Sequence, residues 1–489
     1  MRRSLVSFLT VVLAVISDGG VAAQPMLDSP TLGGVAVFGT ARTRANWWDW
    51  FGNAPEGDYS YPAVLIRVGL TQVTTSFDWQ VDFALPILVN LPIDAVMPAP
   101  QGQLGLGATY SASNGNVAHA AMLFPKQFLV RFKNLGGVAG QDLAIGRMEF
   151  NDGGEVVPKD ASLAALKRER ISQRLLGTFG FSDVGRSIDG AQYSLTKGRT
   201  NVTVIGGRPT QGVFQVDGWG ELNINLLYGA VTRQTGSQRA SGELRIFGLA
   251  YDDYRHGVVK TDNRTATARA ADGESIVVGT FGAHYLQSVG TSGGPVDVLL
   301  WGAGQAGSWG TLADRSAAVA IEAGWQPAAL TSMHLWIRGG YDYAAGDHDA
   351  ADQVHHTFFP VLPTPRIYAR FPFYTMMNTV DVFGELIARP LSRLTLRGDV
   401  HGVRLASTHD LWYTGGGAFQ PQTFGYTGRP SSGQSGLSTV SDLSCDFAFS
   451  PHVALTAYGG YANGGPVTGA IYSGTSGAAF GYAELLLRF

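Results

Sequence analysis

The sequence predicts an all-β chain: a transmembrane, antiparallel outer-membrane β-barrel of about 18 strands with long loops. Three observations predict it. The chain opens on an export-type segment, carries no later apolar run long enough for a helical span, and repeats short stretches of alternating hydrophobicity up to Phe489.

The opening "MRRSLVSFLTVVLAVISDGGVAAQ" has two arginines, an apolar run from Leu5 to Ile16, and small residues at Val21 and Ala23. That order of charge, apolar core and small residues is a secretory signal, cleaved after Ala23. The expected organisation is therefore a signal peptide over 1–23 and one barrel domain over 24–489. A run of about 12 apolar residues is too short to span a hydrocarbon layer of roughly 30 Å. Removing Arg2, Arg3 and Asp18 takes the formal charge from −3 to −4, so the mature chain is mildly acidic. One cysteine, Cys445, excludes an internal disulfide framework and a cysteine-rich metal site.

Composition narrows the class further. Hydrophobic content is 45% and glycine reaches 65 residues, yet charged residues are only 15%. Globular domains average about 25% charged residues. Few charges, many glycines and no spanning helix fit a barrel whose lipid signal is spread over short strands.

The alternation is legible strand by strand. In 221–233, Leu222, Ile224, Leu226, Tyr228 and Ala230 share one face, and Glu221, Asn223, Asn225 and Arg233 the other. Phe77, Trp79, Val81, Phe83 and Leu85 oppose Asp78, Gln80 and Asp82. Leu335, Ile337, Tyr341 and Tyr343 oppose His334, Arg338 and Asp342; Leu394, Leu396 and Val400 oppose Thr395, Arg397, Asp399 and His401. A water-facing sandwich alternates too. Repetition decides: about 18 such segments of ~9–12 residues match the length of tilted membrane strands. Aromatics in 46–51, 458–461 and 370–374 suit a lipid–water boundary, where a ring keeps its apolar body in lipid and its polar edge wet.

The end "GYAELLLRF" continues the pattern. Gly481, Ala483, Leu485, Leu487 and Phe489 suit lipid, with Glu484 and Arg488 inward. In hydrocarbon an open strand edge is untenable, so this segment is expected to pair with the first strand near "GGVAVFGTARTR". A closing Phe also resembles the signal read by the barrel assembly machinery. Two stretches break the alternation, about 344–378 and 406–437, and read as long loops that sit over or inside the lumen. "ASLAALKRERISQ" (161–173) reads as a helix between strands.

These stretches together resemble the bacterial alginate export porins. The resemblance rests on "AIGRMEFNDGGE" (144–155), "LKRERISQRLLGTF" (166–179), "GRSIDG" (185–190), "YDYAAGDHDAADQVHHTFFPVLP" (341–363) and "LRGDVHGVRLASTHDLWYTGGGAF" (396–419). It covers most of the chain, with loose motifs. It implies a monomeric barrel in outer-membrane lipid that passes a linear acidic polysaccharide through a cationic duct, with Arg147 of "GRMEF" pointing inward. The loop "GDHDAAD" departs from the Asn/Pro/Gly-rich version the family would have there.

Alternation adds further inward arginines. Arg42, Arg44, Arg67, Arg131, Arg174, Arg338 and Arg397 fall on the polar face with Arg147, as do Lys133 and Arg245. A lipid-facing Arg at midplane costs roughly 2–4 kcal/mol, which sends it into the lumen. Arginine suits carboxylate cargo because its fork donates two parallel hydrogen bonds and stays charged. The competing reading is that these arginines neutralise lumen carboxylates such as Asp82, Glu322, Asp342 and Glu385. Asp347, Asp349 and Asp352 of "GDHDAAD" offer oxygen ligands for Ca²⁺, although their spacing is not that of an EF-hand. The sequence carries no HExxH pair, no P-loop and no GxGxxG opening a helix. "STHD" (407–410) is a weak candidate for a rim enzyme. An acidic chain without a basic reading motif does not fit nucleic acid. A general or small-solute porin is the alternative function.

Overall fold

The computed structural model describes residues 26–29, 33–52, 55–236, 240–367, 370–473 and 477–489, so the expected signal peptide at 1–23 lies outside the described residues. Eighteen antiparallel strands close into one barrel. In chain order they are β1 (Gly33–Asp49), β2 (Asp58–Val73), β3 (Phe77–Leu88), β4 (Phe124–Phe132), β5 (Gln141–Met148) and β6 (Ile188–Lys197). Next come β7 (Thr200–Pro209), β8 (Ile224–Gly236), β9 (Ala240–Asp253), β10 (Ile276–Thr291), β11 (Gly294–Trp309) and β12 (Leu312–Trp325). The last six are β13 (Trp336–Ala344), β14 (Thr379–Leu391), β15 (Leu394–Arg404), β16 (Gly436–Ser450), β17 (Val453–Gly464) and β18 (Gly477–Arg488). No described helix is long and apolar enough to cross a membrane.

Closure is made by β1 and β18, in register from Thr40 opposite Arg488 to Asp49 opposite Ala479. Phe489 extends it, exchanging two 3.0 Å backbone hydrogen bonds with Gly39. The seam is tight because glycines face aromatic rings across it. A Cβ on Gly39 would sit 2.1 Å from the Phe489 ring, and one on Gly481 would sit 2.2 Å from Trp47. The expected pairing of the last strand with the first is therefore what the structure shows.

The two ends of the barrel differ. Tight turns such as those after Val73, Lys197 and Thr291 lie at one end, and the long connections 89–123, 149–187, 345–378 and 405–435 leave from the other. In outer-membrane barrels the short-turn end is periplasmic and the long-loop end external. Outward side chains form an apolar band: Phe128, Phe281 and Leu443 are each more than 60% exposed.

Most faces follow the alternation, with Asp82, Arg338, Asp342, Asp399 and His401 inward and Phe83, Ile337 and Val400 outward. β8 does not. Ile224, Leu226, Tyr228 and Ala230 are buried inside the barrel, whereas Leu227 and Val231 face out. Both faces of this strand carry apolar residues, and the inner one packs on chain within the lumen: Tyr228 lies 5.4 Å from Phe150, ring to ring. The aromatic clusters differ likewise. Trp47 and Tyr461 face outward, but Trp48, Trp50, Phe51, Tyr458, Phe371, Phe373 and Tyr374 are buried. Trp48 stacks on Phe480 at 4.1 Å and meets Phe371 edge-on. These rings fill the interior rather than belt the outside.

Candidate functional site: the lumen and its plug

The interior is occupied by the connection between β5 and β6. It leaves the long-loop end at Glu149, descends through the barrel, and forms a helix over Ala161–Arg170. The expected helix over 161–173 is thus present. Asp160 caps it, accepting a 2.9 Å bond from the Leu163 N–H, which satisfies one of the donors a helix start leaves open. Leu163 and Leu166 are buried, and Ser162 reaches Gln326 just beyond β12, at the short-turn end. The chain then climbs back through Phe179–Asp183 to β6.

Ion pairs join this plug to the wall on several sides. Lys167 meets Glu243 at 2.6 Å. Arg170 and Arg174 both grip Glu322 and Asp342, at 2.9–3.3 Å. Wall arginines answer plug carboxylates in turn: Arg397 with Glu169 at 3.0 Å, Arg245 with Glu155 at 2.8 Å, and Arg42 with Asp183 at 3.1 Å. Charge of each sign on one partner meets its opposite on the other in a confined, weakly screened space, and backbone hydrogen bonds such as Gly177 N–H to the Leu362 carbonyl, at 2.8 Å, tie the plug to the 345–378 loop.

Each arginine expected in the lumen has a definite place. Arg42 and Arg44 point inward and bind the plug backbone at Gly180, Phe181 and Ser182, and Arg44 also holds Glu484. Arg67 bridges Asp82 and Glu149. Arg338 is fully buried between Asp297 and Glu322, and Arg397 also contacts Glu385 at 3.1 Å. Lys133 pairs with Asp78 at 2.7 Å beside a short turn. Arg131 points inward opposite Asp78 and Ala144, yet forms no ion pair among the described residues.

Two placements depart from expectation. Arg174 is on the plug, not on a strand; a loop folded inward has no alternation to read. Arg147 lies on the outer face at the long-loop rim, in register with the outward Phe128. There Asp189 takes it in two 2.7 Å bonds, and the carbonyls of Pro125, Gly218 and Trp219 accept the rest. The cost of an outward Arg falls to about 0–1 kcal/mol near the interface, and these partners offset it.

The acidic loop does not gather a cation site. Asp347 accepts from the Asp349 N–H, Asp349 from Ala351, and Asp352 from Val354, so each carboxylate closes its own turn. Burial raises the Asp347 carboxyl above the usual carboxylate range. Nor does "STHD" form a triad. The His409 ring bonds the His348 carbonyl, and Asp410 binds Thr357, Tyr413 and the Asp347 N–H. Gly290–Gly294, "GTSGG", fits the spacing of a nucleophile elbow but is the tight turn between β10 and β11.

Three of the cavities among the described residues flank the plug. One of 480 Å³ lies between the plug and the β4–β6 wall, lined by Arg131, Glu149, Glu155, Lys167, Arg168 and Gln192 among others. One of 370 Å³ opens at the short-turn end around Ser162, His334, Trp336 and Arg389. The third, 190 Å³, is an aromatic vestibule beneath the long loops, walled by Trp50, Phe179, Phe181, Phe214, Phe373 and Arg429. Alternation did not reveal Lys167, Arg170 or the aromatic cage of Arg366, whose guanidinium lies 3.8 Å from the Phe181 ring centre. The available signal was the basic run 166–174, dense in a chain with so few charges.

A closed barrel with an apolar exterior, long loops at one end and an ionic, loop-constricted lumen is an outer-membrane porin. The chain belongs to the alginate export family, whose profile matches residues 106–467. No curated protein matches it by sequence. Among solved structures it is similar to the outer-membrane protein OpdK of Pseudomonas aeruginosa, with TM-score 0.54 and 7% identity over 93% of this chain and 98% of that one. OccAB2 of Acinetobacter baumannii gives TM-score 0.53 and 8% identity over the same shares. A second OpdK structure, with vanillate, gives TM-score 0.52 and 7% identity over 93% and 98%. The protein is a transport channel of the bacterial outer membrane, not an enzyme.

Proposed function

We propose that this porin passes an acidic, alginate-like polysaccharide, or its oligomers, along the side of the plug. The observation that carries the reading is Arg131: an exposed, inward guanidinium in the 480 Å³ cavity, without an acidic partner because Lys133 occupies Asp78. Arg168 and Lys167 line the same cavity from the plug. The other wall arginines are committed to carboxylates, and Lys167 and Arg168 pair with Glu243 and Glu169, so selectivity rests on Arg131 and not on a continuous arginine lining. A polyanion needs such sparse, weak contacts, since tight binding would prevent release. The protein works as a monomer in this reading and enters the membrane through the barrel assembly machinery.

Planar-bilayer recordings test it. Oligomannuronate and oligogalacturonate should block the current, and neutral oligosaccharides of equal length should not. The block should weaken between 0.1 M and 1 M salt, as the Debye length falls from about 10 Å to about 3 Å. Arg131→Glu should lower the affinity of block at least tenfold. Equal block by neutral sugars sinks the proposal. The aromatic vestibule favours a second reading, passage of small aromatic acids of the kind OpdK holds as vanillate. Block by vanillate, with no effect of oligouronates, would select it.

A further inference from the structure

Halfway along the barrel wall, three inward carboxylates stand side by side on adjacent strands. Glu385 of β14 is directly opposite Asp399 of β15, and Asp399 is directly opposite Asp442 of β16. All three are more than nine-tenths buried. Like charges facing each other across strands are destabilising. Glu385 is compensated by Arg397 at 3.1 Å. Asp399 and Asp442 form no ion pair among the described residues, and the nearby Arg370 donates its 2.8 Å hydrogen bond to Ser444.

His401 completes the group. It lies two residues after Asp399 on the same face of β15, and one ligand atom from each of Asp399, His401 and Asp442 falls within 4.8 Å of the others. The ring is held from behind: Nδ1 is 2.9 Å from Asp381, and Phe383 stacks on it at 5.4 Å. Asp381 is fixed by a 3.0 Å bond from the Tyr374 hydroxyl, and Asp442 accepts from the Tyr458 hydroxyl. With Nδ1 committed to a carboxylate, Nε2 is the free nitrogen, which is how metal-ligating histidines are oriented. Among the described residues, Asp399 Oδ1 and Asp442 Oδ2 are buried with no hydrogen-bond partner. A buried carboxylate oxygen left unbonded carries a desolvation cost that a bound cation removes.

We propose that Asp399, His401 and Asp442 form a binding site for a divalent transition-metal ion, with zinc as the working probe. One imidazole and two carboxylates supply three protein ligands, the number a zinc site with an open position uses. Calcium fits poorly, because it takes six to eight oxygen ligands. The site does not depend on which solute the porin carries.

The test uses the full barrel, refolded in detergent, stripped with chelator, and titrated with Zn²⁺ in a calorimeter. Bound metal is then counted by elemental analysis after gel filtration. One equivalent of zinc should bind, and the unfolding temperature should rise by several degrees. The double variant Asp399→Asn/Asp442→Asn, which removes the like-charge contact and keeps side-chain volume, should fold and bind none. His401→Gln should weaken binding at least tenfold. The triple variant Asp347→Asn/Asp349→Asn/Asp352→Asn should bind as the parent does. Folding of each variant is read independently, from heat-modifiable gel mobility. The proposal is overturned if the parent binds less than half an equivalent, if the folded double variant binds as well as the parent, or if Ca²⁺ competes at equal concentration.

Discussion

Arginines that look alike in the sequence divide by what surrounds them. Arg338 is fully buried and makes a 2.5 Å contact to Asp297 and a 3.0 Å contact to Glu322. Its replacement by Met should cost about 3 kcal/mol or more, since removing one member of a buried pair leaves charge uncompensated. Among the described residues Asp297 keeps the 2.7 Å bond from the Trp336 indole, while Glu322 retains Arg170 and Arg174. Denaturant titration followed by gel mobility measures the loss. Arg147→Gln should behave differently. Its partner Asp189 is partly exposed at the rim, so the change should cost less than that of Arg338 and leave ion selectivity unaltered in bilayers. If R147Q shifts selectivity as strongly as R131E, the outer-face placement of Arg147 is wrong.

At the scale of elements, the plug is the part that decides conduction. Its ties to the wall are chiefly side-chain ion pairs, and the strands around it form their own complete hydrogen-bonded ladder. Replacing residues 150–186 by a short Gly/Ser linker should therefore leave the barrel able to fold. Glu243, Glu322 and Asp342 would lose their plug partners but gain water in an opened lumen, so the penalty of a buried lone charge does not arise. Barrels of 16–18 strands are wide enough for an aqueous channel. Single-channel conductance should rise several-fold, and ion selectivity should change little, because the carboxylates Glu155, Glu169 and Asp183 leave with the plug cations Lys167, Arg170 and Arg174. Unchanged conductance would mean that the plug is not the constriction. The sequence showed a helix here but not its depth, because burial of a loop depends on contacts with distant strands. The same limit applies to β8: its inner face is apolar because the plug covers it, which no local pattern records.

For the molecule as a whole, strand number and closure were legible because they rest on a period of two and on the rule that hydrocarbon tolerates no open edge. Which polar groups remain free was not legible, since that follows from pairing across the lumen: Lys133 and Arg131 share a strand region, but only Lys133 holds Asp78. Closure itself can be tested at its last contact. Phe489 exchanges two backbone hydrogen bonds with Gly39, donating one and accepting one, and lays its ring over that glycine. A half-exposed aromatic ring contributes about 1–2 kcal/mol by area, and each hydrogen bond about 0.5–1.5 kcal/mol. Deleting Phe489 removes both, whereas Gly39→Val leaves the backbone bonds possible and displaces only the ring. Deletion should thus lower the assembled fraction in cells more than Gly39→Val does, with Phe489→Leu the mildest of the three. Outer-membrane yield and heat-modifiable mobility give the ranking. If the deletion assembles as well as the parent, Phe489 is dispensable to closure and the seam is held by the Thr40–Asp49 ladder alone.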